Sequence, residues 1–473
     1  MRWGMKFIGL ASSAILARLL SPEDYGLVAI ALVLIAGVQV FFDLGIELSL
    51  IRDAKATQAD FNCAWTMRML QANALGLVII LTADVASSFY QDPRLSWIFY
   101  VSAFSIMIKS FENIGVVEFQ KKLDFYTDFK FRVLSKVVGT SCTLGLAFYL
   151  KNYMALVLGL LIQHAFSTLI SYVFSDYRPK LTLSRWRKLW GFSKWILIKN
   201  FSGYLSSQGD YLITSKLAPM AEIGQFRWAR ELNSLVSSEL MQPIARVATP
   251  GFAKIEHDSA RLLHVYRRSL NIISSISAPL VLGVGAVAKE VVPLFLGGGD
   301  KWAPVIPVLE LLCFAAFFSC FYRMSNTYFV VVGKVKYTAY IDVVRSVVSV
   351  ALVYPAYVYG GFIGVAFTSI VITFLVMVAY HFLLCFLTDI TASDIVKDVG
   401  RSALASLIMY TVLGGLESQL LIGLLPMLLM KVSVGALVYT SSLYLLWFAS
   451  GMPDSLESEL VTTIKKLWGK LHA

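Results

Sequence analysis

Apolar runs long enough to cross a bilayer recur from one end of this chain to the other. A span needs about 20 predominantly apolar residues. Such runs lie near 3–20, 25–51, 62–83, 95–116, 130–150, 153–174, 192–217, 226–250, 267–296, 303–332, 336–358, 361–387, 400–416 and 421–449. The stretches between them are short, and none is long enough to hold a separate soluble domain. The pattern predicts an all-α polytopic membrane protein with about 14 transmembrane helices. Composition points the same way. Only 15% of the 473 residues are charged, 57% are apolar, and the mean hydropathy is +0.69. A soluble domain carries about 25% charged residues, and a water-soluble fold of this chain would leave too much apolar surface in water. Met1 opens almost directly into an apolar run with no A-x-A-type cleavage site, so no secretory signal peptide is expected.

A second feature limits how the spans are arranged. ARLLSPEDYGLVA at 17–29 and TSKLAPMAEIGQF at 214–226 align with a shift of 198 residues. Arg18 then meets Lys216, Leu19 meets Leu217, Asp24 meets Glu222 and Gly26 meets Gly224. Each copy reads as a tight hinge between two spans. Pro22 or Pro219 breaks the helix, an acidic residue caps the next one, and a glycine permits close backbone approach. The copies close the first and the seventh span, so they share one orientation in the bilayer. That predicts a parallel pseudo-two-fold repeat of two six-helix lobes around a central gap, followed by two C-terminal helices. The expected divisions are an N-lobe at 1–174, a basic cytoplasmic inter-lobe loop at 175–190 and a C-lobe at 191–388. Helices 13 and 14 occupy 389–450, and an amphipathic cytoplasmic tail occupies 451–473. In that tail Leu456, Leu460, Ile464, Leu467 and Leu471 fall at helical spacing, and Lys465, Lys466 and Lys470 suit an anionic leaflet.

Orientation follows from the loops. Most of the 41 Lys and Arg lie on one side of the predicted spans, in QKKLDFYTDFKFR, DYRPKLTLSRWRKLW and ARVATPGFAKIEHDSARLLHVYRR. By the positive-inside rule both termini are cytoplasmic. The net charge of +11 reflects these loops. The basic residues are not interleaved with aromatics in a soluble module, so no nucleic-acid partner is expected. The five cysteines form no CxxC pair and the five histidines no ligand-spaced cluster. LGGGDKW lacks the G-K-[ST] ending of a phosphate-binding loop. No metal site, ATP hydrolysis or catalytic residue is expected, and the chain reads as a transporter rather than an enzyme.

The run LARLLSPEDYGLVAIALVLIAGVQVFFDLGIELSLIR resembles the opening of the bacterial polysaccharide transporters. These belong to the multidrug/oligosaccharidyl-lipid/polysaccharide flippase superfamily. The likeness continues in YRPKLTLS at 177–184, TPGFAKIEHD at 249–258 and FLGGGDKWAPVIPVLELLCF at 295–314. It covers nearly the whole chain in order and looks nearest to the colanic-acid and exopolysaccharide exporter branch. The resemblance implies a flippase of the bacterial inner membrane. Its substrate would be a polyprenyl-pyrophosphate-linked oligosaccharide repeat unit, moved from the cytoplasmic to the periplasmic leaflet for exopolysaccharide, capsule or O-antigen synthesis. It also implies alternating access of two lobes, coupling to H⁺ or Na⁺ with no other cofactor, and a polysaccharide polymerase and chain-length regulator as further partners. Two other readings stay open. One is a cation-coupled drug or small-molecule exporter of the same superfamily; the other is a membrane-embedded polysaccharide polymerase or ligase.

Ionisable residues inside spans are costly and face a cavity or a partner. A pyrophosphate head group calls for arginine, which binds phosphate bidentately and stays charged. The candidate head-group contacts are Arg18, Arg68, Arg230, Arg323 and Arg345. Asp43 and Asp210 are candidates for orienting those arginines or carrying a coupling cation. Tyr204, Gln208, Tyr211, Trp228, Tyr322 and Asn326 are candidates for facing sugar rings. Against each single residue stands an intramembrane ion pair, plainest at Arg345, which Asp342 can reach along its own helix.

Overall fold

The computed structural model describes residues 2–42, 50, 56–184, 186, 200, 203–204, 208–255, 257–416 and 423–451. Among these residues there is no strand. The first helices are α1 (Arg2–Leu19), α2 (Pro22–Phe42), α3 (Gln58–Tyr90) and α4 (Arg94–Ser110). A 3₁₀ turn at Ile114–Val116 leads to the short α5 (Val117–Lys121), then α6 (Phe125–Leu150) and α7 (Met154–Phe174). Residues 208–217 are helical. There follow α8 (Met220–Ala253), α9 (Ser259–Ala286), the short α10 (Ala288–Leu296), α11 (Val305–Val331), α12 (Val335–Leu387), α13 (Ala392–Gly415) and α14 (Leu424–Ala449).

Among the described residues 8 helices are long and apolar enough to cross a membrane. One of them, α12, holds two of the spans expected from the sequence. Gly361 inside it has φ 58° and ψ −150°, a break that separates the run at 336–358 from the run at 361–387. Only glycine adopts that region without strain. The expected spans at 3–20, 95–116, 226–250 and 400–416 are helical too, as α1, α4, α8 and α13, but are shorter or more charged. Asp43, residues 187–199 and the tail from 452 onward lie outside the described residues.

The helix boundaries follow from local chemistry. Ser21 and Asp24 cap α2 reciprocally: Asp24 N donates to Ser21 Oγ at 3.2 Å, and Ser21 N donates to Asp24 Oδ2 at 3.0 Å. Pro22 takes the first helical position, where its missing N–H costs nothing. Thr57 and Asp60 form the same box at the start of α3, and Thr391 and Asp394 form it at the start of α13.

The chain divides into two compact units. The first contains Met1–Gln225 with Phe295–Gly297, and the second contains Phe226–Leu294 with Gly298–Ala473. The residues up to Gln225 therefore pack with the first half, although the sequence suggests a lobe boundary at 175–190. Specific contacts hold them there. The Tyr204 hydroxyl donates to the Val33 carbonyl at 2.9 Å, Tyr90 and Ser215 share a hydrogen bond of 2.8 Å, and Lys216 donates to the Phe89 carbonyl.

Residues 175–184, expected to be part of a basic loop, form a strap along α3. Lys180 N donates to Asn62 Oδ1 and Thr182 N to Thr66 Oγ1, both at 3.0 Å. The Tyr177 hydroxyl also donates to Asn62, and Asn113 Nδ2 donates to the Tyr177 carbonyl at 2.6 Å. Beneath the strap, Phe61, Cys63, Trp65, Met67, Ile114 and Val117 form a buried apolar cluster. Elsewhere in this unit α6 and α7 pack closely on small residues, with Gly159 against Thr143 and Gly139 against Gln163.

In the second unit α13 and α14 pack onto the rest of the bundle. Arg267 on α9 makes a bidentate contact with Asp398 at 2.7 and 3.1 Å. The Tyr439 hydroxyl on α14 donates to the Ser275 carbonyl at 2.6 Å. Lys431, fully buried, reaches Glu290 at 2.6 Å. The two C-terminal helices are thus fastened by polar contacts, α13 to α9 and α14 to both α9 and α10.

Candidate functional site

Two polar clusters, one in each unit, hold three of the charged residues that the sequence singles out: Arg68 in the first, Arg323 and Arg345 in the second. In the first unit the cluster lies along α3, α4 and α7. Arg68 projects from the third turn of α3 and donates to the Glu112 carbonyl, just past the end of α4. A cation there satisfies a carbonyl left without an intrahelical partner and opposes the negative end of the helix dipole. The Glu112 carboxylate accepts from Ser167 on α7 at 2.7 Å. One turn further along the same helices, Ser105 and His164 Nδ1 are 2.7 Å apart. Asn73 on α3 donates to Ser110 at 3.3 Å. Arg68 is thus half-buried in a seam of hydroxyls and amides, with part of its donor capacity committed to α4.

The other candidates of this unit are placed differently. Arg18 occupies the last turn of α1, and its aliphatic stem packs against Gly297: an added Cβ there would stand 3.0 Å from Arg18 Cγ. Asp210 is half-buried in helix 208–217, where Oδ1 accepts from Tyr211 N at 3.0 Å.

The second unit brings candidates together. Tyr322 on α11 and Tyr380 on α12 stack with centroids 5.2 Å apart and planes 18° from parallel. Both rings are buried. Arg345, on the first half of α12, donates from Nη1 to the Tyr322 hydroxyl at 3.4 Å. The Tyr380 hydroxyl donates to Asp342 Oδ1 at 3.4 Å. Arg345 and Asp342, which the sequence pairs along one helix, therefore each reach a tyrosine of the stack. Both charged residues are exposed, and so is Arg323, next to Tyr322 on α11. The result is a charged rim over an aromatic floor, steadied from below by Tyr266, which is fully buried and bonds Ser325 at 2.8 Å. Guanidinium and hydroxyl groups so placed offer directed donors to phosphate or sugar oxygens.

Arg230, also in this unit, lies over the Phe226 ring at 5.9 Å, and that ring stacks on Phe362 at 4.3 Å. Sequence reasoning missed Tyr380 and Ser167. Each lies in an apolar run with no charge of its own and gains its role only from a partner far away in the chain.

Comparison with known proteins agrees with this architecture. The family described as polysaccharide biosynthesis protein matches residues 15–307. Lipopolysaccharide biosynthesis protein WzxC of Escherichia coli (strain K12) is 25% identical over 310 residues, covering 65% of this chain and 63% of WzxC. An uncharacterized membrane protein in the cps region of Klebsiella pneumoniae is 24% identical, covering 80% of this chain and 79% of that protein. Succinoglycan biosynthesis transport protein ExoT of Rhizobium meliloti (strain 1021) is 21% identical, covering 66% of this chain and 62% of ExoT. The match to WzxC and to ExoT thus spans less than two thirds of each. Among solved structures, lipid II flippase MurJ in an inward closed conformation superimposes with a TM-score of 0.74 at 14% identity, covering 95% of this chain and 98% of MurJ. An inward-facing multidrug resistance MATE family transporter of the MOP superfamily gives 0.61 at 15% identity, covering 88% and 96%. These likenesses establish the fold that the sequence motifs suggest. The chain is a multi-pass membrane protein that belongs to the polysaccharide biosynthesis protein family.

Proposed function

We propose that this chain is a flippase for polyprenyl-pyrophosphate-linked oligosaccharide, carrying the repeat unit from the cytoplasmic to the periplasmic leaflet without enzymatic chemistry. Family membership supports the reading, as do relatives named for lipopolysaccharide biosynthesis, succinoglycan transport and, at 22% identity in Shigella flexneri, putative O-antigen transport. The observation that carries it for this chain is Arg345 and Asp342 set over the stacked Tyr322 and Tyr380. A cationic group beside phenolic hydroxyls matches a ligand that joins phosphate to sugar. Arg323 extends the rim, and Arg18, Arg68 and Arg230 contribute contacts along the path. Asp210 is the described carboxylate assigned to cation coupling, by H⁺ or Na⁺, together with Asp43. Both termini face the cytoplasm, and a polymerase and a chain-length regulator act on the delivered unit.

The test is transport by the purified protein in vesicles. One leaflet is loaded with an undecaprenyl-pyrophosphate oligosaccharide, and its exposure to an impermeant glycosidase is followed. Protein-dependent flipping that Arg345→Ala slows supports the reading. Folded protein that moves none of several such oligosaccharides under H⁺ or Na⁺ gradients sinks it.

A further inference from the structure

The end of the first unit that carries the strap has a surface that transport does not call on. Its depth in the bilayer follows from α6. Phe125 and Tyr126 open this helix, Phe148 and Tyr149 close it, and the four are between 58% and 86% exposed. Tyr126 and Tyr149 are 23 residues apart, about 35 Å along a helix axis. That span matches the hydrocarbon core with a small excess, and exposed aromatics at both ends mark the two bilayer interfaces. The turn between α5 and α6 therefore lies at headgroup level.

Leu123 sits in that turn against its own backbone preference. Leu123 N donates to the Gln120 carbonyl at 3.2 Å, and Asp124 N donates to the Phe119 carbonyl at 2.8 Å. These two bonds close a helix whose next residue turns left-handed, and glycine is the usual residue there. Here it is a leucine at φ 58°, and 69% of it is exposed, so packing on the protein does not offset the strain. With Phe125 and Tyr126 it forms an apolar tip that an acyl layer accepts and water does not.

Cations stand beside the tip, held by rings. Lys130 Nζ lies 4.2 Å from the Tyr126 ring centroid, Lys121 Nζ 5.7 Å from that of Phe61, and the Arg178 guanidinium 5.9 Å from that of Tyr172. Phe61 also meets Tyr177 of the strap, with centroids 5.9 Å apart, which joins the turn and the strap into one surface. The carboxylates nearby are engaged elsewhere. Glu118 pairs with Lys122, Asp128 pairs with Arg132, and Asp124 accepts from Thr127 N at 3.1 Å. Among the described residues Asp176, exposed on the strap, forms no salt bridge with these cations. A ring steadies a cation without neutralising it, so the charge stays available to an anion outside the protein.

We infer that this surface binds anionic phospholipid: Leu123, Phe125 and Tyr126 enter the acyl layer, while Lys121, Lys130 and Arg178 hold headgroup phosphate. The occupant is a lipid because charge and apolar tip lie side by side at one depth, and an amphiphile satisfies both. A soluble anion would meet the cations and leave the strained leucine without a purpose.

The experiment labels Leu123→Cys with bimane, in a chain whose five native cysteines are replaced, and places the protein in phosphatidylcholine vesicles. Equal fractions of doxyl-labelled phosphatidylglycerol or doxyl-labelled phosphatidylcholine are then included. The phosphatidylglycerol probe is expected to quench at least about threefold more strongly, since basic side chains at the surface concentrate anionic lipid. Lys121→Gln, Lys130→Gln and Arg178→Gln together remove the difference. High salt shrinks it in the parent by screening. Equal quenching by the two probes overturns the inference, and so does a difference that survives neutralisation. Should the triple variant fail to fold, the salt titration decides: a preference that salt leaves unchanged overturns the inference. Inorganic phosphate at constant ionic strength leaves the preference in place; its loss would make the site one for a free anion and overturn the lipid assignment. Melting in detergent separates the tip from the fold. Leu123→Gly relieves the left-handed strain, so with phosphatidylcholine it melts no lower than the parent. It loses most of the extra rise that phosphatidylglycerol gives the parent; an undiminished rise overturns the role of the tip. No lipid-linked oligosaccharide enters either measurement, so failure of the flippase reading would appear in the glycosidase assay alone.

Discussion

Lys431 and Glu290 meet at 2.6 Å with both side chains withdrawn from solvent, and this pair ties α14 to α10. A buried pair contributes little over a well-packed apolar substitute, but removing one partner strands the other charge. Lys431→Met and Glu290→Leu are each expected to destabilise the protein by about 3–5 kcal/mol. The double variant recovers most of that loss. Thermal unfolding in detergent of the two single variants and the double variant checks the coupling; additive losses would show that the pair does not act as one.

The aromatic floor separates support from contact. Tyr380→Phe keeps the ring stacked on Tyr322 and removes only the hydroxyl that meets Asp342. Stability is expected to change by no more than about 1 kcal/mol, the worth of one exposed-side hydrogen bond. Arg345→Ala is expected to slow flipping about tenfold, and Arg345→Lys to restore part of the rate, since lysine keeps the charge but loses the fork. Initial rates in the glycosidase assay, read beside the melting temperature of each variant, check both.

The strap depends on one amide. Asn62 accepts from both Tyr177 and Lys180, so Asn62→Ala removes two anchors together. The expected cost is about 1–3 kcal/mol, because the strap's polar groups lose their partner. Hydrogen exchange at 177–182 should accelerate, while exchange in α6 stays as it was. Equal protection of the strap in the variant would mean that Thr66 and Asn113 hold it unaided.

The α3–α4 turn gives a pH dependence. Arg94 hydrogen-bonds Asp92 and holds its carboxyl below the ordinary aspartate range. A depressed carboxylate contributes stability that is present above its unfolded value and is lost as pH falls through the folded one. The contribution is at most about 1 kcal/mol, since Arg94 stays partly open to solvent. Melting temperatures from neutral pH into the acid range should fall less steeply for Asp92→Asn than for the parent. Parallel curves would show that the turn does not titrate.

Much of this protein is legible in its sequence. Run length and low charge determine a helical membrane bundle, because lipid admits only structures whose backbone groups are satisfied internally. Pro22, Asp24 and Gly26 show a capped hinge, and the second copy at Pro219, Glu222 and Gly224 shows a repeat. The arginines stand out because charge inside a span is costly. Partnership is another matter. Nothing in the spacing of Gly26 and Gly224 says that their backbones meet, so that a Cβ added at Gly26 would stand 3.1 Å from Gly224 N. Nor does it say that Arg345 reaches Tyr322 rather than Asp342. Nor does it say that Arg68 covers the end of α4, or that Lys431 finds Glu290. Periodicity records which face of one helix is apolar; it carries no record of which distant helix will lie against that face. Those choices are made when the helices pack, where the absence of a side chain or the reach of a single guanidinium decides which backbone comes closest.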